Sequence, residues 1–135
     1  MTPEAAGYIE KARDLLAQAR VMLGVGLNDA VGRTAYLAEF HAAQGLIFQR
    51  TGRSLKTHHG VHTEFLRLTK NDARIDADYR IGLSQAYNLK ASADYEIGPN
   101  AKITAERASA ELGRATRFVD LIATLISSDD AATES

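Results

Sequence analysis

Apolar residues recur along most of this chain at alternating steps of three and four, the spacing that lines side chains up on one face of a helix. Pro3, Pro99 and a few glycines punctuate the pattern and divide it into five predicted helices. The first runs from Pro3, well suited to a first turn, to Met22 and Leu23. Gly24 and Gly26 end it, and Tyr8, Ala12, Leu15, Ala19 and Met22 form its stripe. The second is capped by Asn28 or Asp29 and reaches about Arg50, where Thr51 and Gly52 break the pattern. It is apolar almost all round. Val31, Ala35, Ala38, Ala42 and Leu46 mark one face and Tyr36, Phe40, Ala43 and Ile47 the next, a breadth expected of a helix covered on two sides. The third, capped by Thr57, extends to about Lys70 with Val61, Phe65 and Leu68 as its seam. The fourth, Asp78 to Ala93, continues an apolar line of Leu83 and Tyr87 into Lys90 and Asp94, close enough to pair. The fifth, Ile103 to Ser127, carries Ala108, Leu112, Ala115, Val119, Ile122 and Ile126, the seam of a bundle.

A chain of 135 residues fits one domain and can bury a core without disulfides or a structural metal. The pattern assigns residues 1–128 to that helical domain and 129–135 to an acidic, frayed tail. A net charge of -1 argues against a generally basic nucleic-acid coat, so any recognition must be local. Cysteine is absent, which excludes disulfides, thiolate metal sites and a cysteine nucleophile, and fits a reducing compartment. The amino terminus lacks the basic-then-apolar order of a secretory signal, and no apolar run approaches the roughly 20 residues that span a bilayer. A cytoplasmic protein with no membrane association is expected.

Candidate chemistry concentrates between Gly52 and His62, which holds three of the four histidines beside Arg53 and Lys56. With Thr57 as a cap, Lys56, His58, His59 and the free amides of the first turn would surround one small volume, a reasonable phosphate site. The helix dipole would disfavour a charged imidazole there and leave His58 a neutral base. From residue 50 to 70 five cations stand against Glu64 alone, an excess that would attract RNA. The same segment also reads as a solvated connection whose threonine merely caps a helix. His58 and His62 share a helical face, but no third metal ligand is evident nearby, and no metal or cofactor is expected. Arg33 could satisfy a buried Asp94 across the second and fourth helices. His41, among alanines and beside Phe40, reads as a core or interface histidine; Tyr95 either stacks a base or staples a helix end. Tyr36, Phe40, Tyr79 and Tyr87 read as core.

Several fragments together resemble the HEPN family (higher eukaryotes and prokaryotes nucleotide-binding), in particular its small stand-alone prokaryotic members. They are Asn28-Asp29 with Arg33-Thr34-Ala35-Tyr36 and Phe40-His41-Ala42-Ala43, Lys56-Thr57-His58 with Gly60-Val61, and Ala86-Tyr87 with Lys90 and Ala93-Asp94-Tyr95. The resemblance implies an all-α, up-and-down four-helix bundle with an additional short helix, a homodimer, and pairing with a small nucleotidyltransferase in toxin-antitoxin systems. It implies RNA or a nucleotide as ligand and, in many relatives, metal-independent endoribonuclease activity. The family's nuclease motif is an arginine followed by four to six residues and a histidine. Arg53 and His58 have that spacing but lie in a loop entering a helix, whereas Arg33 and His41 share a helix but sit roughly 12 Å apart along it. The catalytic candidates are therefore His58, Arg53 and Arg33, and the RNA- or nucleotide-binding candidates are Lys56, His41, His59, Lys90, Asp94 and Tyr95. A non-catalytic module that binds a nucleotide or a protein partner is the alternative.

Overall fold

The computed structural model describes residues 1–134. Among them five helices follow in order, α1 (Pro3–Gly24), α2 (Asn28–Thr51), α3 (His58–Thr69), α4 (Ala77–Tyr95) and α5 (Ala105–Glu134), with a 3₁₀ turn at Pro99–Ala101. The architecture is all-α, an up-and-down bundle of α1, α2, α4 and α5 to which the short α3 is added. Helix α2 is its axis and packs against each of the other four. Both apolar faces read from its sequence are buried, from Val31 through Ala35, Ala38, Ala42 and Leu46 to Tyr36, Phe40, Ala43 and Ile47.

Local chemistry sets most helix ends. Thr2 Oγ1 accepts a hydrogen bond from the Ala5 amide at 3.1 Å, and Thr57 Oγ1 accepts from Gly60 at 3.0 Å. Gly52 closes α2 at φ 72°, a left-handed position that suits glycine. Helix α2 departs from the expected cap: it begins at Asn28, and neither Asn28 nor Asp29 caps it. Asp29 Oδ1 instead accepts from the Ile103 amide at 2.8 Å, tying the start of α2 to the chain entering α5. Helix α5 starts two residues later than the apolar pattern suggests because Thr104 Oγ1 accepts from the Arg107 amide at 3.1 Å.

Two further expectations are corrected. The buried stripe of α1 is Ala5, Ile9, Ala12, Leu16 and Ala19, while Tyr8, Leu15 and Met22 lie at its margin. Helix α5 continues to Glu134, through most of the segment assigned to a frayed tail from Asp129. At the start of that segment Arg50 Nε donates to Asp129 Oδ2 at 2.9 Å while another guanidinium nitrogen donates to the Leu68 carbonyl at 3.2 Å. Ser135 lies outside the described residues. No helix among the described residues is long and apolar enough to cross a membrane.

One polar cluster is buried between α2 and α5. Glu39 is 1 % exposed, its Oε1 lies 3.8 Å from Arg114 Nε, and its Oε2 has no partner among the described residues. Burial pushes this carboxyl up to about 8; Arg114 pulls it down and Glu111 adds to the rise. The contact with Arg114 is therefore mainly that of a protonated acid at neutral pH, not a salt bridge. Arg114 makes its closer contacts to Glu111 Oε2 at 3.1 Å and the Gly82 carbonyl at 3.0 Å.

Candidate active site

Helix α3 presents His58 and His62, four residues apart, to the face of α2 that carries Tyr36. The Tyr36 ring is completely buried, and its hydroxyl lies 2.6 Å from His58 Nδ1 and 3.0 Å from His62 Nε2. Phe40 and Tyr87 complete an aromatic wall, their ring centres 5.0 and 4.9 Å from that of His58. Burial, then the Tyr87 and Glu39 charges, push the Tyr36 phenol well above the ordinary tyrosine range, so it stays protonated. Burial and the nearby Lys90 hold His58 below the usual imidazole range. His62 is lowered by burial and by its histidine neighbours. Both imidazoles are thus kept neutral near neutral pH. His58 Nε2 has no partner among the described residues and is not buried, so one ring nitrogen is anchored and the other is open.

Beside this group α4 contributes a charged rim. Lys90 Nζ lies 2.9 Å from Asp94 Oδ2, and Arg33 of α2 donates to Asp94 Oδ1 at 2.9 Å. Burial alone would raise the Asp94 carboxyl, but the hydrogen bonds from Lys90 and Arg33 outweigh it and hold it below the ordinary range. Lys90 is raised in turn, chiefly by its bond to Asp94. The Tyr95 ring is 79 % exposed with its centre 5.8 Å from Lys90 Nζ. Two cations on one acid leave a net positive charge next to a neutral imidazole, a combination suited to phosphate ligands.

The other candidate residues fall elsewhere. Arg53 is exposed and turned to Glu64, 3.7 Å away. Lys56 and His59 are exposed at the start of α3, where the His58 ring has turned inward and away from the volume the cap is expected to define. His41 bonds Gln44 Oε1 through Nδ1 at 2.6 Å and is held below the usual imidazole range by burial, offset in part by that bond. Gln44 in turn donates to the Leu55 carbonyl at 2.7 Å. Part of the cation excess between residues 50 and 70 is offset: Arg50 meets Asp72 and Asp129, and Arg53 and Arg67 share Glu64. A cleft of about 300 Å³ is lined by Arg33 together with Asn28 and Lys102, and does not include His58. Among the described residues, no group of three or more potential ligands is placed to hold a metal ion.

Tyr36, His62 and Tyr87 join the site although the sequence pattern places the tyrosines in the core and offers His62 only as a metal ligand. The available signal is the four-residue step from His58 to His62, which fixes a shared face but not what that face meets. Tyr36 is both core and site, since its ring is buried and its hydroxyl is the polar contact.

The chain is thus an α-helical bundle that sets a tyrosine-anchored histidine near an Arg–Asp–Lys rim. The HEPN domain model matches residues 5–125, and the chain belongs to the HEPN family. It is 34 % identical over 120 residues to a Methanocaldococcus jannaschii protein named "Putative toxin MJ0605", covering 88 % of this chain and 86 % of that one. It is 33 % identical over 89 residues to a UPF0332 protein of Archaeoglobus fulgidus, covering 66 % and 70 % of the two chains. The crystal structure of TT1696 from Thermus thermophilus superposes with a TM-score of 0.73 at 22 % identity, covering 91 % of this chain and 98 % of the other, a likeness of fold.

Proposed function

We propose that this protein is the toxin-like, RNA-cleaving component of a toxin-antitoxin-type system and works as a metal-independent endoribonuclease. The observation that carries the reading is the His58 imidazole, anchored at Nδ1 by Tyr36 and open at Nε2, near Lys90, which Asp94 joins to Arg33. Cleavage without a metal needs a base for the ribose 2′-hydroxyl, a cation for the phosphorane and an acid for the leaving oxygen. His58 Nε2 takes the 2′-hydroxyl proton as the 2′-oxygen attacks phosphorus. The bond to the 5′-oxygen breaks, leaving a 2′,3′-cyclic phosphate, and a second His58, from the other copy in a homodimer and holding its proton on Nε2, protonates the departing oxygen. Lys90 and Arg33 face the phosphate; Arg53, occupied by Glu64, takes no part.

The toxin-like reading is supported by the name of the Methanocaldococcus jannaschii relative. A homodimer and a small nucleotidyltransferase partner belong to the proposal through family membership. Incubating the purified protein with total RNA in EDTA tests it: fragments ending in 2′,3′-cyclic phosphate are expected, and intact RNA would reject the nuclease. Light scattering of the same sample tests the dimer.

A second reading, a nucleotide-binding or protein-interaction module without turnover, is favoured by the cleft that Arg33 lines, where Lys102 joins the uncapped first turn of α2. Intact RNA together with saturable nucleotide binding, lost on Lys102→Ala, would select it.

A further inference from the structure

We propose that His58, Tyr36 and His62 form a proton relay, in which Tyr36 and His62 are positioning residues that carry away through the protein the proton His58 takes up at its open nitrogen. The inference rests on the nuclease reading for its purpose and on geometry alone for its existence. Tyr36 is completely buried and cannot touch a substrate, yet its hydroxyl lies 2.6 Å from one imidazole nitrogen and 3.0 Å from another. A phenol carries one proton to donate and an oxygen that accepts. With both rings neutral, the pair of hydrogen bonds has two complete arrangements.

In one, His58 Nδ1–H donates to Tyr36 Oη, the tyrosine hydroxyl donates to His62 Nε2, and His62 holds its proton on Nδ1. His58 Nε2 is then a bare base. In the other, Tyr36 donates to His58 Nδ1, His62 Nε2–H donates to Tyr36, and His58 carries its proton on the open Nε2, from which it is released as Tyr36 passes its own proton to Nδ1, His62 Nε2 replaces it and solvent returns one to His62 Nδ1. Conversion from the first to the second is balanced. A proton enters at His58 Nε2, the Nδ1 proton passes to Tyr36, the tyrosine proton passes to His62 Nε2, and the His62 Nδ1 proton leaves to solvent. Every member is neutral before and after. The groups around His58 make this route useful: Phe40 and Tyr87 remove water and Lys90 adds positive charge, both of which disfavour an imidazolium. A relay lets His58 act as a base without keeping the charge, and returns it as an acid.

The shared phenol makes a requirement that separate histidines would not obey. Both rings must hold the same tautomer, either both Nδ1–H or both Nε2–H. Nitrogen-15 NMR of the full chain, at a pH where both imidazoles are neutral, reads this directly. Matching tautomers on His58 and His62, and loss of the match on Tyr36→Phe, are expected. Opposite tautomers in the unaltered protein overturn the relay, and they do so even where Tyr36→Phe fails to fold. For RNA cleavage, Tyr36→Phe should lower kcat by at least about tenfold with KM within about twofold, a loss of proton transfer rather than of binding. An unchanged kcat would also overturn it. Absence of cleavage by the unaltered protein with matching tautomers removes the nuclease reading and leaves the relay standing, so the two failures are distinguishable.

Discussion

At His58 the deciding effects are desolvation and charge, and both act in one direction. The aromatic wall and Lys90 keep the ring neutral, while the Tyr36 hydroxyl fixes its orientation. The threonine cap that starts α3 is legible from Thr57 and the residues after it, because capping is a local interaction. The inward turn of the His58 ring is not, since it depends on Tyr36, 22 residues away. Arg33 and Asp94 are legible as partners because Asp94 ends the apolar line of α4 and Arg33 is a charge on a helix that is otherwise apolar almost all round. Asp94 is 16 % exposed and Lys90 20 %, but Arg33 is 43 % exposed, so the network is neither fully buried nor a surface pair. Replacing Asp94 by Ala should therefore cost about 1–2 kcal/mol, between the values for exposed and buried pairs. Urea denaturation measures it, and a loss within about 0.5 kcal/mol would show that the network contributes no stability.

The elements show why helix type is easier to read than helix rotation. On α2 nearly every position is apolar, so no rotational choice arises. On α1 two series, one through Tyr8 and Leu15 and the other through Ile9 and Leu16, share Ala12 and Ala19 and are equally apolar. Packing against α2 and α5 selects the second. The α1–α2 approach is close at Gly45, where a Cβ would stand 3.3 Å from Tyr8 Cβ and 3.4 Å from the Ala5 carbonyl. Gly45→Leu should cost about 2–3 kcal/mol through overpacking, read in the same denaturation experiment; an unchanged midpoint would mean that the two helices separate freely. Between α2 and α5, Glu39 makes stability depend on pH. Its folded value is raised from an ordinary 4.5 to about 8 by burial, so across that interval the unfolded chain ionises while the folded one stays protonated. The folded state therefore loses stability as pH rises from about 4.5 and levels off above about 8. Glu39→Gln mimics the protonated acid. Its melting temperature should gain on that of the unaltered protein steadily over this interval, and parallel curves would contradict the burial of an ionisable carboxyl. This group is not legible in the sequence, because Glu39 sits in a run otherwise read as adjacent apolar faces.

For the whole molecule, the bundle brings α2, α3 and α4 together so that His58 lies on Tyr36 near Lys90, which Asp94 joins to Arg33, and it sends Arg53 toward Glu64. Linear spacing favours Arg53 with His58; the three-dimensional arrangement favours Arg33 and Lys90. The most direct test compares His58→Ala with Arg53→Ala in EDTA-resistant RNA cleavage, at matched melting temperatures. A fall of at least about a hundredfold for His58→Ala and a change within about threefold for Arg53→Ala are expected. Retained cleavage in His58→Ala, or its loss in Arg53→Ala, would contradict the assignment of the site to the His58 face.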